Sequence, residues 1–184
     1  NAGLLESIDT QASLAYSPAL KPESAILAAY EADAADIDVN ALLQGYLRQL
    51  QSAGGRLVTS ARVDGMLRRA SAWQVETNVG IFTAPSIVNA AGAWADEIAA
   101  LAGTASIGLV PKRRTALTFD PGVDISKWPL TISADENWYF RPEGGDLLIS
   151  PADETPQPPN DAQPDEMDVA VCIDRIQNHT TLNV

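Results

Sequence analysis

One cysteine and one histidine stand among 184 residues. A lone Cys172 excludes an intrachain disulfide, and with only His179 beside it there is no Cys/His zinc set, so no metal site is expected. The same scarcity fits a reducing, cytoplasmic setting. No apolar run approaches the roughly 18 residues of a membrane span, and no secretory signal peptide is visible. Basic residues are few, 12 Lys and Arg against 24 Asp and Glu, for a net charge of −12. That balance argues against a nucleic-acid partner, because phosphate binding needs clustered Lys and Arg. The plain reading of the acidity is solubility. There is no internal repeat and no G-x-G-x-x-G loop, and Gly3 is the only glycine before Gly45. The chain opens on Asn1 rather than Met and closes on TTLNV, the pattern expected of a piece of a longer protein.

What is present is apolar enough for a sizeable core, at 46%. The length allows one ordinary domain or two small ones. Residues 1–34 read as extended segments and turns, interrupted by two prolines. Next, Val39, Leu42, Leu43, Tyr46, Leu47 and Leu50 fall at helical spacing, with Asp38 as N-cap and Gly54–Gly55 as the stop. RLVTSARV predicts a strand. MLRRA, WQVETNV and GIFTAP predict a meander, and SIVNAAG a further short strand. AWADEIAALAG predicts a helix that stops at Gly103. From Leu109, LVPKRRTALTF alternates as a half-buried strand does. WPLTI, NWYFRPE and DLLIS continue as strands, with a hairpin turn at Glu143–Asp146. A Pro- and acid-rich connection then leads into a last helix, with Asp165 and Glu166 in its first turn. The expected divisions are 1–34, 35–104 and 105–184.

The stretch VNAAGAWADEIAALAG sets Ala90, Ala91, Gly92 and Ala93 between a strand and a helix. Two readings fit. Small residues let a helix pack closely on a strand, or they let a ligand reach the backbone beyond the carboxyl end of a strand in an open α/β sheet. The second places a pyrophosphate near the following helix N-terminus.

Residues Asn89, Ala91, Gly92 and Trp94 resemble the second flavin-contacting segment of the FAD-dependent oxidoreductases of the D-amino-acid oxidase type, the glycine oxidase, sarcosine oxidase and L-2-hydroxyglutarate oxidase group. The resemblance is wider than this loop. IDVNALLQGYLRQLQSAGGRLVTSARV resembles that family's helix and the strand whose end lies against the adenosine half of FAD, which maps onto Arg62 and Val63. The meander resembles the family's small three-stranded insert, YSPAL the segment preceding the helix, and NWYFRPEGGDLLISPADET the Tyr-x-x-Pro strand and hairpin of the substrate domain. Together these cover most of residues 14–155.

The resemblance implies a mixed α/β fold: part of a Rossmann-like FAD-binding domain over 35–104, and a substrate domain with a mostly antiparallel sheet over 105–184, with the extended segment 1–34 on the substrate-domain side. It implies FAD as cofactor, contacted by Arg62, Val63 and Asn89, Ala90, Ala91, Gly92, Ala93 and Trp94. It implies a small amino- or hydroxy-acid substrate, with the aromatic Tyr139 aimed at it. The family's opening glycine loop and its closing segment, which carries a substrate-binding arginine, have no match. The implied protein is therefore a central fragment, inactive alone, of an enzyme that passes a hydride from substrate to flavin. A non-catalytic binding module derived from the same fold is the other reading.

Lys112, Arg113 and Arg114 form the only tight basic cluster, and Arg141 follows Tyr139 by two residues on the same strand face. Arg113, Arg114 and Arg141 are candidates for holding a substrate carboxylate. The competing reading is a strand edge paired with acids. His179, at a helix end, reads as a capping or surface group, and Cys172 as a small buried apolar one. No residue stands out as a dedicated base, and the pattern specifies no oligomeric state.

Overall fold

The computed structural model describes residues 5–184; Gly3 and the start of the expected 1–34 segment lie outside the described residues. The fold is mixed α/β, and among the described residues every pair of strands is antiparallel. It divides into two compact units. One gathers the residues up to Ala34 with Lys112–Val184, and the other is Ala35–Pro111.

The first unit begins with strand β1 (Glu6–Ile8), helix α1 (Thr10–Tyr16) and strand β2 (Ala28–Tyr30), which pairs with β1. Helix α1 departs from the extended reading of this stretch. The Asp9 carboxylate accepts from the Ala12 N–H and so satisfies one of the free donors at the helix start. Tyr16 and Tyr30 stack at 4.3 Å.

The second unit carries helix α2 (Val39–Ser52), capped by the Asp38 carboxylate on Ala41 N–H. The meander follows as β3 (Val63–Arg69), β4 (Ala72–Thr77) and β5 (Gly80–Ala84), in that order in one sheet. A 3₁₀ turn, Gly92–Trp94, leads into helix α3 (Ala95–Leu101). Two expected strands are not formed. Residues 56–60 and 86–90 carry no ladder, so no parallel pair flanks the small-residue loop. A strand exists only through ladder hydrogen bonds to a neighbouring strand, and among the described residues these segments pair with none. Their side chains match that state: Val88 is 88% exposed, and Leu57 and Val58 lie open with the apolar stripe of α2.

Back in the first unit, the long alternating stretch breaks into β6 (Lys112–Arg113) and β7 (Leu117–Phe119). The break has a cause: the Thr115 N–H goes to the Asp153 carboxylate instead of a ladder. Strands β8 (Thr131–Ile132), β9 (Tyr139–Glu143) and β10 (Asp146–Ser150) complete a four-stranded sheet in the order β7–β10–β9–β8. Gly144 and Gly145 turn the β9–β10 hairpin at positive φ, a backbone that favours glycine. In the Pro-rich connection a short β11 (Thr155–Pro156) pairs with β6. Helix α4 (Glu166–His179) closes the unit.

The core of this unit is Phe140, Leu147 and Ile149 from the sheet and Cys172 and Ile176 from α4, all fully buried, with Trp138 and Ile125. Phe140 faces Ile149 in register, and Pro142 faces Leu147, so one face of the hairpin meets α4. Burial in this apolar setting pushes the Cys172 thiol up to about 12. Among the described residues no helix is long and apolar enough to cross a membrane.

Candidate functional site

Side chains alternate along a strand. Because Phe140 is fully buried in the core, Tyr139 and Arg141 stand on the opposite face of β9. Cross-strand partners extend that face. Tyr139 is opposite Ser150 on one side and Ile132 on the other, and Arg141 is opposite Leu148. Arg141 is half-buried and pairs with Glu143, its neighbour two residues on along the same face. A guanidinium held against a sheet beside a phenol is suited to a carboxylate, which it meets through paired N–H donors.

The basic cluster is used differently. Arg113 is 17% exposed and pairs with Asp168 in the first turn of α4. It also lies 3.8 Å from Asp153 and 4.0 Å from Asp165. Its Nε is buried without a hydrogen-bond partner among the described residues. Lys112 and Arg114 both reach Glu154, Arg114 at 3.0 Å. The Lys112 ammonium, bonded to Glu154, lowers that carboxyl below its ordinary value. Asp153 itself accepts from both the N–H and the hydroxyl of Thr115. Three consecutive cations thus tie β6 to the 153–154 segment and to α4. Arg113 and Arg114 are instead engaged by acids of their own unit, Asp168 and Glu154.

In the second unit the loop 89–94 is shaped by its own first residue. The Asn89 side chain donates to the Ala95 carbonyl at 2.8 Å and accepts from the Ala91 N–H at 3.2 Å. Gly92 sits at φ +55°, in the left-handed region, with nothing within 4 Å of where a Cβ would stand. Ala90 and Gly92 are exposed, Ala91 and Ala93 half-buried, and Trp94 is exposed. The loop therefore presents bare backbone to open space, as a group that must come close to the main chain requires. Behind it, α3 and the meander enclose a cavity of about 130 Å³ bordered by Met66, Trp73, Asn89, Ile98 and Thr104.

Arg62 and Val63 stand where the chain enters β3. Arg62 is exposed and pairs with Asp64 at 2.7 Å. Its backbone is held from the β4–β5 turn. The Asn78 carboxamide accepts from the Arg62 N–H at 2.7 Å and donates to the Ser60 carbonyl at 3.0 Å. One anchoring residue escaped the sequence pattern. Asp96, in the first turn of α3, accepts from the Ser106 hydroxyl and from the N–H groups of Ile107 and Leu109. These bonds, the Ser106 hydroxyl first, lower its carboxyl below the ordinary 3.8. The only signal in the sequence was an acid at a helix start, which is commonplace.

His179, half-buried, stacks on Trp138 at 5.2 Å and shares a 3.0 Å hydrogen bond between Nδ1 and the Ser24 hydroxyl. Among the described residues no group of acids, histidines and cysteines is arranged to hold a metal ion.

Comparison with known proteins adds the context. Residues 2–181 match the family described as FAD dependent oxidoreductase. Among solved structures, L-proline dehydrogenase from P. horikoshii superposes with a TM-score of 0.78 at 21% identity, over 98% of this chain and 50% of that one. Glycine oxidase from Geobacillus kaustophilus superposes with a TM-score of 0.81 at 21% identity, over 97% of this chain and 47% of that one. At that identity the likeness is one of fold. The chain spans about half the length of these solved relatives.

Proposed function

Since the chain belongs to the FAD-dependent oxidoreductase family, we propose that it supplies part of a flavin site and the substrate-facing sheet of an enzyme that oxidises a small amino acid, secondary amine or 2-hydroxy acid. The observation that carries this reading is the division of β9. Phe140 belongs to the core, while Tyr139 and Arg141 share the other face. In the proposal that face receives the substrate. The Arg141 guanidinium binds its carboxylate, exchanging part of its pairing with Glu143, and the Tyr139 hydroxyl orients it. Arg113 and Arg114, engaged by Asp168 and Glu154, act as struts.

The loop 89–94 fits a flavin nucleotide. Its open side, with only a methyl at Ala90 and no side chain at Gly92, admits a bulky group to the main chain, and Asn89 holds its shape from within. Arg62 and Val63 are proposed as further contacts to the cofactor. A flavin held by these residues would supply the hydride acceptor. The part played by these residues is to bind, to orient and to exclude water. An amine whose lone pair is free needs no separate base.

The test is a visible absorption spectrum of the gene product that carries this chain, purified and then supplied with FAD. A flavin spectrum that persists through gel filtration is expected, weakened by Gly92→Val. A protein that stays colourless after FAD is added overturns the reading in favour of a non-catalytic binding module.

A further inference from the structure

Helix α4 touches the sheet at one place with unusual economy. Arg175 Nη1 donates to two carbonyls at once, that of Asn137 at 2.5 Å and that of Pro151 at 2.8 Å. These two residues bracket the end of the β9–β10 ladder at which Tyr139 faces Ser150. Cys172 and Ile176, fully buried, lie three residues before Arg175 and one after, so the helix stripe that enters the core also carries the guanidinium to the ladder's end. His179, one turn on, stacks on Trp138, the residue just before Tyr139.

Other bonds leave this corner little freedom. The Ser150 hydroxyl donates to the Thr115 carbonyl at 2.6 Å and accepts from the Ala152 N–H at 3.1 Å. Ala152 is itself held at φ +52°, a conformation that a non-glycine residue keeps only under constraint. A cation across two carbonyls makes charge-assisted hydrogen bonds, stronger and more directional than neutral ones. Arg175 is part-buried, and its two bonds reach the backbone two residues before Tyr139 and one residue after Ser150.

We propose that Arg175 is a positioning residue for the substrate face: its clamp on the Asn137 and Pro151 carbonyls sets the place of the Tyr139 side chain, and through it the affinity for a carboxylate. This inference rests on the proposed substrate role of Tyr139 and Arg141. A lost positioning bond loosens the site more than it unfolds the protein, because the core contacts of α4 through Cys172 and Ile176 remain.

The test uses the flavin-bearing protein and acetate as the probe, with the flavin absorbance change giving the Kd and a thermal melt recorded alongside. Arg175→Gln is expected to raise the Kd about tenfold, an effect the size of one lost charge-assisted bond. Arg175→Lys, which keeps a cation for one carbonyl, is expected to fall between Gln and wild type. Tyr139→Phe and Arg141→Gln are measured in the same series. If these two weaken acetate and both Arg175 variants leave the Kd within about twofold while lowering the melting temperature, Arg175 is merely structural and the inference falls alone. If Tyr139→Phe and Arg141→Gln also leave acetate binding unchanged, the substrate reading of the face falls and takes the inference with it. Should Arg175→Gln fail to fold, Arg175→Lys decides by the same criterion.

Discussion

Replacing Arg113 by methionine separates a strut from a substrate ligand. Methionine keeps much of the stem and removes the charge. The carboxylates left behind are poorly solvated, Asp153 at 10% and Asp168 at 21% exposure. Breaking a fully buried ion pair costs about 3–5 kcal/mol. Residual solvent, and the two Thr115 bonds that stay on Asp153, reduce this to about 2–3 kcal/mol. For a protein of this size that is a fall of about 5–10 °C in melting temperature. Arg114→Met is the control. Its pair with Glu154 has side-chain exposures of 46% and 53%, so the change should cost under about 1 kcal/mol. Melting followed by far-ultraviolet circular dichroism gives both numbers. Adding Asp168→Asn to Arg113→Met should recover part of the loss, since the orphaned charge is gone. A melting temperature for Arg113→Met within about 1 °C of wild type, together with loss of carboxylate binding, would refute the strut and restore Arg113 to the substrate.

Gly92→Ala is expected to cost about 1 kcal/mol, purely from the left-handed backbone, since the space around the new methyl is open; chemical denaturation measures it, and Gly92→Asn should cost less. Cys172, with its thiol pushed up to about 12 and fully buried, should resist a disulfide reagent near pH 8 in the native protein and react within seconds once denaturant unfolds it. Asp96 is held below its ordinary value in the folded state, so its contribution is present above pH 3.8 and lost as pH falls through the lower folded value. Hydrogen exchange at Ile107 and Leu109 should therefore accelerate in strong acid, and in Asp96→Asn the acceleration should already be present at neutral pH.

Much of this was legible in the sequence, and the parts that were not have physical reasons. Helix α2 followed from its apolar spacing and the Asp38 cap, and the β9–β10 hairpin from Glu143–Gly144–Gly145–Asp146, because these signals are local. The two-residue spacing of Tyr139 and Arg141 predicts a shared strand face, whereas the burial of Phe140 on the other face is visible only in the structure. Non-local effects were hidden. Residues 56–60 and 86–90 have strand-like composition, but a strand needs a partner that composition does not name. The alternation of LVPKRRTALTF was real, yet Asp153, far along the chain, takes the Thr115 N–H and splits it. Helix α1 was missed because two prolines gave its segment an extended reading, while the Asp9 cap that starts it is seen only in its bond to the Ala12 N–H. Arg175 gave no signal, because its role lies in two carbonyls that any sequence would supply.

The most direct measurement is anaerobic reduction of the bound flavin by a panel of small amino acids, secondary amines and 2-hydroxy acids, read as bleaching of the visible spectrum. Bleaching by at least one member of the panel, slowed in Arg141→Gln mainly through a higher substrate requirement, is the expected result. A bound flavin that no member bleaches, or one that Arg141→Gln and Tyr139→Phe bleach as readily as wild type, would contradict the placement of the substrate on this face of the sheet.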